Sequence, residues 1–247
     1  MDRCKNCDHP LNGKFCSHCG QKADTRSLDW RWLRHEVQHS VFHVDRGILF
    51  TLKQLFTRPG HTIGEYLEGK RKRYFPPLSM ILIPAAVYSL LMYFFMPDVS
   101  GMITSEESRK VMEETMRMIK EKYALFELAL LPLFSFSSWL LLRRYGHNFV
   151  EHVVINAFLA GQRIVLNILV LPSNLLGLVT SMVIGSVVYL IYLIYWVFGF
   201  AQLYEKRGGA GPVIRAMLAF VVAYAILLTL IVGGAIIYAL IVGPKPS

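Results

Sequence analysis

Hydrophobic and polar positions divide this chain unevenly. After Tyr74 the apolar residues gather into five stretches, near 77–96, 124–142, 150–171, 175–200 and 213–242. A helix needs about 20 apolar residues to cross the ~30 Å of hydrocarbon in a bilayer, so the pattern predicts five membrane spans. Before Tyr74 the period changes. Leu33, Val37, Val41, Val44 and Ile48 recur at intervals of four, four, three and four, which predicts one amphipathic helix or two, with Gly47 as the break. Trp30, Trp32, Phe42, Phe50 and Phe56 add aromatic bulk suited to a bilayer interface. The tripeptide Arg58, Pro59, Gly60 then turns the chain. Between the first two spans, Met112, Met116, Ile119 and Tyr123 follow a capping box at Thr104 and Glu107. This segment, near 104–123, reads as an external amphipathic helix.

Composition sharpens the division. Of 247 residues, 54% are hydrophobic and the formal charge is +9, so anionic lipid, acidic protein and nucleic acid are all admissible partners. The N-terminus shows no basic start followed by an apolar core, so no secretory signal is expected and the front of the chain is expected in the cytoplasm. The basic residues agree. Arg58, Lys70, Arg71, Lys72, Arg73, Arg143, Arg144, Lys206, Arg207 and Arg215 flank the spans on one side. The other side has Lys245 and the segment 97–123, where five Lys/Arg meet six Asp/Glu. The positive-inside rule then places the N-terminus in and the C-terminus out. Lys70, Arg71, Lys72 and Arg73 sit directly before the first span, with Tyr74 and Phe75 at headgroup depth, and are expected to contact anionic lipid headgroups. That proximity explains their charge without nucleic acid.

The strongest chemical signal is at the front. All four cysteines form two C-x-x-C pairs, Cys4 with Cys7 and Cys16 with Cys19, eight residues apart. A two-residue gap turns both thiolates of a pair toward one ion, and two pairs complete a closed tetrahedral site. One structural Zn2+ is expected, and it would supply most of the folding energy of so short a segment. Gly20 follows the second pair, where positive φ brings backbone amides toward sulfur; Asp8 holds the matching place after the first. His9 and His18 flank the ligands, but four cysteines already fill the shell. The fold class is therefore mainly α, a polytopic bundle of about five spans behind a zinc ribbon and an amphipathic linker. The boundaries are 1–24 for the ribbon, 25–75 for the juxtamembrane region and 76–247 for the transmembrane domain.

The ribbon ending in "CGQK", "DRG" at Asp45 to Gly47, Thr51, "RPG", Tyr66 and "GKR" at Gly69 to Arg71 form an ordered set. Over about the first 80 residues this set resembles an uncharacterised bacterial family, a domain of unknown function with an N-terminal zinc ribbon before several spans. The resemblance implies a bacterial inner-membrane protein and brings no established activity.

Two polar features remain. His35, His39 and His43 stand at four-residue intervals, but opposite the apolar stripe, and no His-His pair of the membrane di-iron enzymes accompanies them. In the third span His152, Asn156, Arg163 and Asn167 fall within roughly 60° of one another on a helical wheel. A charge at the depth of Arg163 is costly and faces a bundle interior or a wet cavity. Glu127, near the outer end of the second span, is its candidate partner, either as a structural ion pair or as part of a site for an anionic ligand. In the fourth span Gly177, Ser181 and Gly185 offer a small-residue edge for close helix contact, followed by Tyr189, Tyr192 and Tyr195.

No nucleotide-binding glycine loop, serine-hydrolase elbow or H-E-x-x-H metalloprotease motif is present in the sequence, so no enzyme is expected. The sequence points to a docking or assembly module that engages a protein partner through its ribbon, with a homo-oligomer admissible. The alternative is a transporter, channel or lipid-handling protein built on the third-span stripe.

Overall fold

The computed structural model describes residues 2–25, 28–39, 47–96 and 105–242. Past the ribbon these are arranged as eight α-helices: α1 (Trp30–His39), α2 (Gly47–Thr57), α3 (Pro59–Leu67), α4 (Ser79–Phe95), α5 (Glu106–Leu142), α6 (Phe149–Val170), α7 (Leu178–Leu203) and α8 (Gly211–Val242). Four helical stretches are long and apolar enough to cross a membrane: Glu106–Tyr145, Phe149–Leu176, Leu178–Leu203 and Gly211–Ile237. The shorter apolar α4 accompanies them. The chain is a helical bundle of the multi-pass membrane type with a cysteine cluster at its front.

The segment near 104–123 is not a helix of its own. Residues 105–131 contain neither Gly nor Pro, so nothing breaks the backbone where polarity changes, and α5 runs unbroken for 37 residues. At ~1.5 Å per residue that is about 55 Å, well beyond one hydrocarbon thickness. Its cap also differs from the predicted box. Ser105 is the N-cap and accepts from the Ser108 amide, while Thr104 lies outside the described residues.

Inside a bilayer, apolar burial adds little drive, because lipid is as apolar as protein; close backbone approach and polar contacts hold helices together instead. Two glycines do this here. A Cβ at Gly161 would lie 2.3 Å from the Met80 carbonyl oxygen, so α6 and α4 cross backbone to backbone. A Cβ at Gly60 would lie 2.3 Å from the Gly199 carbonyl oxygen, which seats α3 on α7. The small-residue edge expected at Gly177, Ser181 and Gly185 is different. A Cβ at Gly185 would meet open space, and Ser181 turns its hydroxyl to the carbonyls of Gly177 and Ser173. A Cβ at Gly177 would likewise meet nothing within 4 Å. Farther along α7, Tyr195 donates to the Leu55 carbonyl of α2 at 3.0 Å.

The juxtamembrane region is built into the bundle. Arg58 is the only non-helical residue between α2 and α3, and Pro59 starts α3 where its missing N–H costs nothing. α3 buries Pro59, Gly60, Thr62, Ile63 and Tyr66, and Gln202 of α7 accepts the Gly60 amide at 3.1 Å. Tyr74 and Phe75, expected at headgroup depth, are buried. The Phe75 amide donates to Thr51 Oγ1 at 2.8 Å. Val41, Phe42, His43, Val44 and Asp45 lie outside the described residues, as do the side chains of His35, Val37 and His39.

Candidate functional site

The ribbon consists of two copies of one small device, twelve positions apart (4 to 16, 7 to 19). In the first, the Cys4 amide donates to His9 O at 2.9 Å and the Asp8 amide to Cys4 O at 2.8 Å. In the second, the Cys16 amide donates to Gln21 O at 2.8 Å and the Gly20 amide to Cys16 O at 2.9 Å. Each loop closes on a residue with positive φ, Asp8 at 61° and Gly20 at 72°. Isolated bridges, Arg3 with Pro10 and Phe15 with Lys22, clasp the two loops.

These loops bring all four Sγ atoms within 4.8 Å of one another. Cys4 and Cys19 stand 3.6 Å apart, Cys7 and Cys16 3.5 Å. A tetrahedral ion with bonds of ~2.3 Å to sulfur would set its ligands about 3.8 Å apart; a disulfide would need ~2.05 Å. The four cysteines therefore fit a metal ion. Crowding also spreads their proton affinities, because a second thiolate beside a first is disfavoured. At Cys7 the His9 amide draws the thiol down, yet burial and the neighbouring sulfurs push it up to about 12. At Cys19 burial pushes it up, while the Gln21 amide and Asn6 side chain bring it to about 7. His9 and His18 do not join the sulfur cluster but stack on each other, with ring centroids 5.5 Å apart.

The ribbon is seated on the loop before α4. Gln21 is buried, and its Oε1 accepts the backbone amides of Arg71 and Lys72 at 3.0 and 3.1 Å. Gly69, at φ 111°, meets the ribbon directly: a Cβ there would lie 2.9 Å from Lys5 Cδ and 3.0 Å from Thr25 Oγ1. The side chains of the four basic residues expected at lipid headgroups take different surroundings. Arg71 turns inward, its guanidinium 5.9 Å from the ring centres of both Trp32 and Tyr66. Lys70 lies 3.8 Å from Glu65, and Arg73 is exposed but sits over Phe50 at 4.9 Å. Lys72 is exposed. Glu65 also accepts from Tyr74 at 2.5 Å and from Arg58 at 3.1 Å. Burial raises its carboxyl, but the Tyr74 hydroxyl and the Lys70 and Arg58 charges outweigh this and hold it below the usual carboxylate range.

The polar stripe of α6 separates into two groups. His152 Nδ1 lies 3.0 Å from Ser138 Oγ of α5, and Asn156 donates to the same hydroxyl at 2.9 Å. Trp196 of α7 donates to Asn156 Oδ1 at 3.1 Å. Two turns farther along, Arg163 pairs with buried Glu127 of α5 and lies 5.3 Å from the ring centre of Tyr192. Tyr123 and Tyr189 face this pair as well. Asn167 is half-buried one turn beyond. Sequence pattern places the stripe on one face but does not find Ser138, Trp196 or the tyrosines, because serine and aromatics are common in any span.

The profile of a family described as a protein of unknown function (DUF3667) matches residues 45–89. No curated protein matches the chain, and no solved structure does. The matched stretch includes α2, α3 and most of α4, the part whose Gly60, Thr51, Tyr66 and Gly69 make the contacts above.

Proposed function

We propose that this protein is a membrane-anchored docking module of the bacterial inner membrane, in which a zinc-loaded ribbon presents a rigid surface to a protein partner in the cytoplasm. The observation that carries this reading is the closed cluster of Cys4, Cys7, Cys16 and Cys19, seated on the bundle through Gln21. Four thiolates around one ion leave no open position for a substrate, so the metal serves shape rather than chemistry, and the role is that of an adaptor or assembly factor. Exposed Phe15 and the stacked His9 and His18 give the ribbon an outward surface. The N-terminus lies inside and the C-terminus outside, with exposed Lys72 and Arg73 on anionic headgroups. Replacing Cys4 and Cys7 by Ser removes partner recovery in a crosslinking pull-down and leaves membrane insertion intact; unchanged recovery defeats the proposal.

One observation favours a second reading, a transporter or lipid-handling protein: the Glu127–Arg163 pair, a charge pair within the spans ringed by tyrosines. In the docking module this pair only joins α5 to α6. Arg163→Gln then lowers the stability of the purified bundle and leaves partner recovery unchanged at permissive temperature. Loss of a flux or of a bound lipid, in a variant as stable as wild type, favours the second reading.

A further inference from the structure

Between the ribbon, α1 and the loop before α4 lies a cleft of about 640 Å³, within the ~300–1,000 Å³ of small-molecule sites. Trp32, Tyr66 and Tyr74 give it aromatic walls, and Gln21, Thr25 and Arg71 add polar groups. Its acidic groups are already engaged. Asp29 caps α1 by accepting the Trp32 amide at 2.8 Å, and Asp24 has a partner. Glu36 faces the charge of Arg71, whose guanidinium is held in the wall by Trp32 and Tyr66.

The donors are in the opposite condition. Gln21 is 5% exposed and spends Oε1 on two amides, while its Nε2 has no acceptor among the described residues. The buried Thr25 hydroxyl also has no hydrogen-bond partner among them. Lys22, Arg31 and Lys72 line the cleft and pair with no carboxylate among the described residues. A buried donor without an acceptor costs about 1–3 kcal/mol, so the occupant that fits is an acceptor-rich anion. Pro76, also in the lining, is three residues before Ser79, where α4 begins. Three residues span at most about 10 Å, so the cleft lies beside the start of the first apolar helix.

We propose that this cleft binds a phosphate group, carried by a phospholipid headgroup or by a soluble phosphate ester. The full chain in neutral detergent is titrated with short-chain phosphatidylglycerol, with glycerol phosphate and with the matching diacylglycerol, following tryptophan fluorescence through Trp32. A saturable change with a phosphate-bearing probe and none with diacylglycerol is expected. Response to the lipid alone assigns the headgroup; equal response to glycerol phosphate assigns a soluble ester. Gln21→Glu is the decisive variant: its carboxylate still accepts the Arg71 and Lys72 amides, but the free donor becomes a negative charge. It weakens binding by roughly tenfold or more, as loss of a charge-assisted contact does. Lys72→Gln, which disturbs no contact of the ribbon, weakens binding by about threefold and decides the matter if the first variant loses its metal. Unchanged affinity in the variants, a response to diacylglycerol, or a cleft filled by a copurifying protein with no phosphate titration overturns the proposal.

Discussion

Gln21 joins two parts of the chain that lie 50 and 51 positions apart, using a single oxygen for two backbone amides. Gln21→Ala leaves both amides without their acceptor in a buried place, at about 1–3 kcal/mol each. The expected result is faster tryptic cleavage at Lys22 in native membranes, with any metal content unchanged; equal cleavage rates would show that the ribbon is seated without the Gln21 side chain. The knuckles were legible because C-x-x-C spacing is dictated by the geometry of an ion, and the positive φ at Asp8 and Gly20 follows from the same constraint. Gln21 was not legible in this way. Its partners are backbone groups, which carry no sequence signal, so a glutamine in "CGQK" looks like any polar residue beside a turn. Arg71 is a second case. It stands in a basic run that reads as lipid-facing, and sequence gives no sign that its guanidinium lies 5.9 Å from the ring centres of Trp32 and Tyr66.

At the scale of elements, hydrophobic runs located the apolar helices well and their junctions poorly. Polarity changes sharply near residue 123 while helix propensity does not, so α5 passes through the change unbroken. The polar part of α5 carries Arg109, Lys110, Arg117, Lys120 and Lys122. With the N-terminus inside, trypsin cuts at these residues only when added to the outer face, as spheroplasts against inverted vesicles will test by the fragment sizes recovered. Cleavage only in inverted vesicles reverses the orientation. Long periodic segments advertise themselves through many residues at once. A cap or a one-residue hinge such as Arg58 rests on one or two and escapes notice.

The juxtamembrane region is tied to the rest of the molecule at two places. The ribbon sits on the loop before α4, and α3 sits on α7 through Gly60. The third-span stripe shows the limit of a helical wheel at this scale. The wheel reports a shared face, but which neighbour meets it depends on depth, and here α5 offers Ser138 at one level and Glu127 at another. With an ion held by the four cysteines, a ribbon of this size would depend on it for folding. A strong chelator, or acid that protonates the thiolates, should therefore free residues 2–25 to protease while the bundle stays intact in gels; a ribbon still protected after metal loss would mean that its seat on the loop suffices.

The distance bridged by Gln21 also has a meaning in time. A chain grows at ~5–20 residues per second, so about 3–10 s pass between synthesis of the ribbon and synthesis of the loop that receives it, 50 residues later. During that interval the cysteines can meet their ion while Gln21 still lacks both amides. On that timing a ribbon that takes up an ion would be complete before the backbone amides that seat it exist.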